Sequence, residues 1–262
     1  MAEVSLSAPA PRPRRMLSDV LRIRLLTAIG LLVAYEALAQ SGLLYKGVIP
    51  SLLAIGKSLV LVLANGEFYG HLGLTIFEMA VGFGIGTCTG LTLGIAFGLW
   101  RMLGETLDPW VHYLAPAPKI IFLPVLVLAF GAGVGSKIAM GSISSFFPVV
   151  VATYAGMRLV RPVLIRVATS YQATTWQIVR YVYLPSLVAP VIGAMRIGLG
   201  ATIIGTLLAE IKMSRAGLGY LIIQDYNFFR IPEMYALLVI IFALAWLANS
   251  GMEHLGNKLG RY

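Results

Sequence analysis

The sequence predicts an all-α, polytopic membrane protein with about six transmembrane helices, and three observations carry that prediction. Of 262 residues, 58% are hydrophobic and only 12% charged, and the mean hydropathy is +0.85. A soluble domain carries roughly 25% charged residues, so a water-facing surface cannot be built from this supply. Disorder requires low hydrophobicity and is excluded away from the ends. Second, long runs lack Asp, Glu, Lys and Arg: 22 residues from Met79 to Trp100, 20 from Ile138 to Met157, 19 from Met234 to Met252 and 17 from Ile120 to Ser136. About 20 apolar residues at ~1.5 Å each cross a ~30 Å hydrocarbon layer. Third, none of these runs alternates apolar and polar residues, which rules out the ~10-residue strands of a membrane barrel.

Taken in order, residues 1–18 read as a basic cytoplasmic tail carrying Arg12, Arg14 and Arg15, and residues 19–262 as the transmembrane domain. Span 1 is expected at about 22–40, its apolar run interrupted by Glu36. Ala37-Leu38-Ala39 imitates a signal-peptidase site, but Glu36 stands where such a site is neutral, so a retained span is expected. An outer segment with short helices fills 41–69. Within it, Gly56-Lys57-Ser58 mimics the end of a phosphate-binding loop, yet Ser51 occupies the position of the required first glycine and no strand precedes it. No nucleotide site is expected on this chain.

Span 2, about 70–99, carries Gly82, Gly86, Gly90, Gly94 and Gly98 at steps of four. This stripe of hydrogen side chains lets another backbone approach closely, either a neighbouring span or a second subunit. An inner turn at 100–110 is flanked by Trp100 and Trp110 as interfacial anchors. Span 3 runs to about 130, with Pro116-Ala117-Pro118-Lys119 breaking its helix. Span 4 covers about 137–157. A basic inner segment, 158–189, separates it from span 5 at about 190–210, with short helices expected at Val167–Thr175 and Trp176–Tyr183. A Gly- and aromatic-rich outer segment, 211–232, precedes span 6 at about 233–253.

Lysine and arginine placement sets orientation. With the N-terminus inside, 12 of the 20 fall on inner segments, 6 on outer segments (Lys46, Lys57, Lys137, Lys212, Arg215 and Arg230), and Lys119 and Arg196 at membrane depth. Both termini are therefore expected in the cytoplasm. The net charge of +9 is accounted for by topology and anionic lipid headgroups, with no nucleic-acid partner. Cys88 is the single cysteine, and His71, His112 and His254 are too dispersed for a metal site, so neither a disulfide nor a metal is expected.

Charged residues at membrane depth are costly and point to function by default. Lys119 and Arg196 are candidate lining residues of an anion pathway, with Glu210 at the end of span 5; snorkelling and an interfacial position are the alternatives. In the inner segment, Trp176, Val179 and Tyr183 share one helical face, suited to a membrane surface or to a groove on a cytoplasmic partner.

Several stretches in fixed order resemble the inner-membrane permease subunits of ATP-binding-cassette importers, in the nitrate/taurine/aliphatic-sulfonate group. They are Pro116-Ala117-Pro118-Lys119, Leu123-Pro124, Phe130-Gly131, Ser136-Lys137, Phe146-Phe147-Pro148, Thr153-Tyr154, Trp176-Gln177, Leu184-Pro185, Arg196-Ile197-Gly198-Leu199-Gly200, Ala209-Glu210 and Gly217-Leu218-Gly219-Tyr220. The likeness spans about residues 20–255. It implies the type I importer permease fold, a homodimer of permeases, two cytoplasmic ATPase subunits that carry ATP and Mg, and a periplasmic or lipid-anchored solute-binding protein. It also implies that this chain is not an enzyme and binds no cofactor itself. The ATPase-coupling residues it implies are Arg166, Gln172, Thr174, Thr175, Trp176 and Gln177. Here the chain departs from the family pattern, with Arg166 in place of a glutamate and Gln172 in place of a turn glycine. Gly217–Tyr220 is implied as a constriction or docking surface. The expected function is import of a small anion such as nitrate, taurine or another sulfonate. The alternatives are a neutral or aromatic solute such as a thiamine-precursor pyrimidine, or an ion- or proton-coupled secondary transporter using Glu36 or Glu78.

Overall fold

Every regular element among the described residues, 14–42 and 48–259 of the computed structural model, is a helix. The chain divides into two units, one ending at Lys57 and the other beginning at Ser58. In the first unit, α1 spans Arg14–Gln40 and leads towards α2, Leu52–Ala64. Glu36 accepts the Leu52 N–H at 2.8 Å and the Gln40 amide at 2.6 Å, and Tyr35 donates to the Pro50 carbonyl at 3.0 Å. The Glu36 carboxylate therefore satisfies one of the free N–H groups that begin α2. Helix α1 starts earlier than the expected span and takes in residues 14–18 of the expected tail. Residues 1–13 and Lys46 lie outside the described residues. Gly56-Lys57-Ser58 lies within α2.

The second unit is built on a layer of three long helices, α3 (Gly66–Leu99), α6 (Val134–Leu159) and α9 (Leu184–Met213), with α6 in the middle. Small residues set both contacts. A Cβ on Gly82, Gly86, Gly90, Gly94 or Gly98 would lie 2.1–3.0 Å from α6 atoms, so the α3 stripe faces its own chain. The second seam is between α6 and α9: added Cβ atoms would meet Thr206 Oγ1 at 2.8 Å from Gly141 and Ser144 Oγ at 2.4 Å from Gly205. Thr202 donates across it to the Gly141 carbonyl at 3.1 Å. Small side chains and hydroxyl bonds are how helices associate where lipid removes the hydrophobic drive.

The expected inner turn at 100–110 is a helix, α4 (Arg101–Leu114). Its Leu103, Leu107 and Val111 recur at helical spacing and pack on Phe97, Val150 and Tyr154, while Trp110 and Tyr113 stay exposed. The chain then bends by 97° around Pro116 and Pro118 into a short 3₁₀ turn, Lys119–Phe122, and α5, Leu123–Phe130. Among the described residues four helices, α3, α6, α9 with its preceding turn, and α11 (Ile231–Leu259), are long and apolar enough to cross a membrane, and the bent pair makes a fifth. The expected six is thus approximate, with α1 in the place of the first. Between α9 and α11 lies α10, Leu218–Asn227.

Candidate coupling surface and buried polar cluster

Residues 160–183 connect α6 to α9 without a long helix. The connection opens with α7, Pro162–Ser170, whose proline occupies the first turn, where a missing N–H costs nothing. The helix closes in a full Schellman cap. The Ala173 N–H reaches the Ala168 carbonyl at 3.1 Å, and the Gln172 N–H reaches Thr169 at 2.9 Å. This cap requires a left-handed residue just past the helix, and Gln172 supplies it at φ 56°. Glutamine therefore makes the turn that the resemblance assigns to glycine, at a strain cost. Thr174 and Gln177 then form a reciprocal capping box that starts α8, Thr175–Ile178.

The two short helices are shifted from expectation. The first begins at Pro162 rather than Val167 and stops before Gln172. The second runs through a wide π turn, Val179–Tyr183, into α9, so Tyr183-Leu184-Pro185 continues a helix. The π turn sits just before Pro185, which lacks an N–H and crowds the preceding turn. All six expected coupling residues, Arg166, Gln172, Thr174, Thr175, Trp176 and Gln177, are exposed. Trp176 is 71% exposed, Tyr171 84% and Tyr181 74%, while Val179 is buried and anchors the segment to the layer. The surface offered is rich in aromatics and basic residues.

At the opposite end of α9 lies a polar cluster that the sequence reading did not assemble. Glu210 is fully buried within the chain and accepts the Thr75 hydroxyl and the Gly219 N–H, each at 2.6 Å. Thr75 Oγ1 in turn accepts the Leu218 N–H at 2.8 Å, and His71 Nδ1 accepts the Gly217 N–H at 3.0 Å. Three successive N–H groups at the start of α10 thus end on α3 and α9, and the His71 ring stacks on Tyr220. Gly217 is at φ 103°, and a Cβ there would lie 2.2 Å from Glu210 Oε1. The Gly217–Tyr220 motif is therefore where α10 begins against a buried carboxylate.

Lys137, expected on an outer segment, is buried in the first turn of α6 and donates to the carbonyls of Ala132 and Met213, the latter at 3.1 Å. Glu78 is buried beside it, lines the same cavity, and leaves its Oε2 without a hydrogen-bond partner. One sequence signal could have found the site. Lys137 alone separates two uncharged runs, and Glu78 is the last charge before the longest one.

The other two pathway candidates occupy separate surroundings. The Lys119 ammonium donates to the Ala115 carbonyl at the proline bend and lies 5.5 Å from the Phe147 ring centroid. Arg196 is partly exposed and ties α9 to α11 through Glu253 at 3.3 Å and Asn249 at 3.4 Å. Among the described residues no group of three or more His, Cys, Asp or Glu side chains could hold a metal ion.

A family model described as binding-protein-dependent transport system inner membrane component matches residues 86–260. The putative aliphatic sulfonates transport permease protein SsuC of Bacillus subtilis is 27% identical over 99% of this chain and 94% of its own length. The taurine transport system permease protein TauC of Escherichia coli is 30% identical over 74% of this chain and 71% of its own. In fold, the chain is similar to a subunit of the MetNI methionine ABC transporter in an inward-facing conformation, with a TM-score of 0.65, 20% identity, and coverage of 74% of this chain and 99% of that one. This protein belongs to the binding-protein-dependent transport family of multi-pass inner-membrane permeases.

Proposed function

We propose that this chain is the permease subunit of an ATP-driven importer for a small oxyanion of the sulfonate class. The observation that supports it best is the exposed segment of residues 160–183. It is capped at Gln172 and Thr174 and leaves Tyr171, Trp176 and Tyr181 exposed on its surface. Large exposed aromatics on a rigid, capped turn are hot-spot material for a protein interface. In this reading Arg166, Gln172, Thr174, Thr175, Trp176 and Gln177 contact a cytoplasmic ATPase, which binds ATP and Mg, and both termini lie on the same side. A second permease copy completes the pathway, and a solute-binding protein delivers the solute to the opposite face. ATP can drive alternation only by binding one state of the assembly better than the other.

The names of the sulfonate and taurine relatives support the solute class. A pathway that passed Lys119 and Arg196 would suit an anion. The deciding experiment reconstitutes the chain with its cognate ATPase and binding protein in vesicles. ATP-dependent uptake of a labelled alkanesulfonate, competed by taurine, is expected. Trp176→Ala should release the ATPase on copurification while membrane insertion is unchanged. Uptake that persists without the ATPase, driven by a proton or sodium gradient, would refute the reading in favour of a secondary transporter. Unchanged uptake at every solute concentration in the double variant Lys119→Met, Arg196→Met would remove those residues from the pathway.

A further inference from the structure

We propose that the ATPase surface receiving residues 158–183 is an apolar groove with an acidic rim, its carboxylates set against Arg166 and Arg180. The inference rests on the reading of this segment as the ATPase contact and adds the chemistry of the partner's side.

The charge pattern of the segment is one-sided. No Asp or Glu stands between Asp108 and Glu210, and Arg158, Arg161, Arg166 and Arg180 are the only charged residues from 158 to 189. All four are exposed. Arg158 lies over the Tyr154 ring at 5.7 Å, whereas Arg161, Arg166 and Arg180 enter no ion pair among the described residues. Other connections mix the signs: Glu105 and Asp108 follow Arg101, and Arg230 at the α10–α11 corner pairs with Asp225. The lysine and arginine bias that orients a membrane protein takes little account of acids, so it does not explain their absence here. Position 166, where the family pattern has a glutamate, asks for the opposite charge on the partner. The planar fork of an arginine fits a carboxylate with two parallel bonds.

An apolar stripe runs beside these charges. On α7, Val163, Leu164, Val167 and Tyr171 fall within an arc of about 100°, and all four are exposed. Arg166 stands about 60° beyond the edge of that arc at Val163. Ile165 and Ala168, outside the arc, are the half-buried residues of the helix. An exposed apolar stripe edged by a cation is the face of a helix that lies in a groove. Beyond the Gln172 turn, the exposed Trp176 and the exposed pair Arg180-Tyr181 repeat the combination.

The shape of the segment favours a protein groove over a lipid surface. A helix lying on a membrane keeps one unbroken apolar face. Here a left-handed turn divides the segment, and Gln172, Thr174, Thr175 and Gln177 stand exposed between and beside the aromatics. The Schellman cap and the capping box hold that shape before any partner arrives, which lowers the ordering cost of binding.

The test measures the affinity of the full chain, in lipid nanodiscs, for its cognate ATPase. Raising KCl from about 50 to about 300 mM should weaken wild-type binding at least about tenfold, as screening of exposed ion pairs requires. The double variant Arg166→Glu, Arg180→Glu should lose at least about tenfold at the low-salt end and show a flatter salt dependence. Among single Asp→Lys and Glu→Lys substitutions on the ATPase, at least one should restore binding to the double variant while weakening binding to wild type. A wild-type chain that binds no ATPase refutes the reading of the segment and the inference with it. ATPase binding that ignores both salt and the charge reversals leaves that reading intact and overturns the acidic rim alone. Amide protection of residues 162–171 that rises with anionic lipid in ATPase-free nanodiscs, with ATPase affinity indifferent to the reversals, assigns the arginines to headgroups and also overturns it. If the double variant fails to insert, the wild-type salt series decides: a tenfold weakening supports the rim and a flat series overturns it.

Discussion

Replacing Gly86 by alanine tests whether the glycine stripe is an internal seam. The new Cβ would lie 2.1 Å from Ser145 Oγ and 2.2 Å from the Ser142 carbonyl oxygen. The serine hydroxyl can rotate away, but the backbone carbonyl cannot. Restoring ordinary contact therefore demands that α3 and α6 separate locally by about 1 Å, and a gap of that size forfeits a quarter to a half of each dispersion contact. Each contact is worth about 0.1–0.2 kcal/mol and the seam holds a few dozen, so the loss is about 2 kcal/mol, within the usual range for overpacking. Gly84→Ala is the matched control, because nothing lies within 4 Å of its added carbon. It should gain up to about 1 kcal/mol from helix propensity. The assay is denaturant unfolding of the detergent-solubilised, monomeric chain, followed by helical circular dichroism. Glycine 86 and glycine 84 variants of equal stability would refute the seam. A loss seen only in a dimer would instead place the stripe between subunits.

Three further outcomes follow from named positions. Gln172→Gly should lengthen amide protection at residues 171–173 by about 0.5–1 kcal/mol, since relief of a left-handed side chain exceeds the entropy glycine adds to the unfolded chain; unchanged or shorter protection contradicts the cap. Gly217→Ala combines φ 103° with a Cβ 2.2 Å from Glu210 Oε1. It should cost about 2–4 kcal/mol of α10 docking, read as faster proteolysis between α9 and α10, and wild-type resistance would count against it. Burial pushes the Asp225 carboxyl above its ordinary value near 3.8, with Glu233 adding to the rise and Arg230, paired at 2.9 Å, opposing it. The folded corner thus binds more protons than the unfolded one, so its stability is greatest below the ordinary value and falls as pH rises through the raised one. Arg230→Met should extend that fall to higher pH and Asp225→Asn should abolish it, both measured by amide exchange at the α10–α11 corner.

The spans were legible because a bilayer demands uncharged length, and length is a property of the sequence alone. Pro116 and Pro118 likewise announced the break between α4 and α5, because proline removes a donor wherever it sits. Helix α4 was not legible: its apolar residues Leu103, Leu107 and Val111 are interspersed with Glu105, Thr106 and Asp108, so the stretch reads as a polar connection until Phe97 and Tyr154 are there to receive one face. The turn at Gln172 was obscured for a different reason. A non-glycine residue can adopt the left-handed cap when two backbone bonds hold it, and nothing in the residue type says so. The buried cluster lay deeper still. Glu78 and Glu210 are 132 positions apart, and Lys137 sits at a helix end where lysine is ordinarily exposed. Only the small-residue seams, which bring α3, α6 and α9 close together, bury all three in one layer.

On the proposed coupling role, those seams would also decide how a push at one end of the layer reaches the other. Helix α9 runs 30 residues without a break, roughly 45 Å at the helical rise, from the π turn beside the aromatic segment past Glu210 to Met213. A flexible helix would absorb a push near Tyr183 in bending. Here Gly141, Gly198 and Gly205 bring α6 and α9 to backbone distance, and Thr202 bonds the Gly141 carbonyl between them. Close-packed, hydrogen-bonded neighbours do not deform continuously; they shift as a body or stay. Pro185 and Pro190 confine the compliant part of α9 to its first turns, next to the π turn. On the proposed coupling role, movement of residues 160–183 would be converted near Pro190 into displacement of a rod whose far end holds the start of α10. A second π turn, made by inserting one residue after Gly200, should uncouple the two ends. ATPase copurification should persist, because residues 160–183 are untouched, while uptake fails. Retained uptake would show that the signal crosses the layer by another helix.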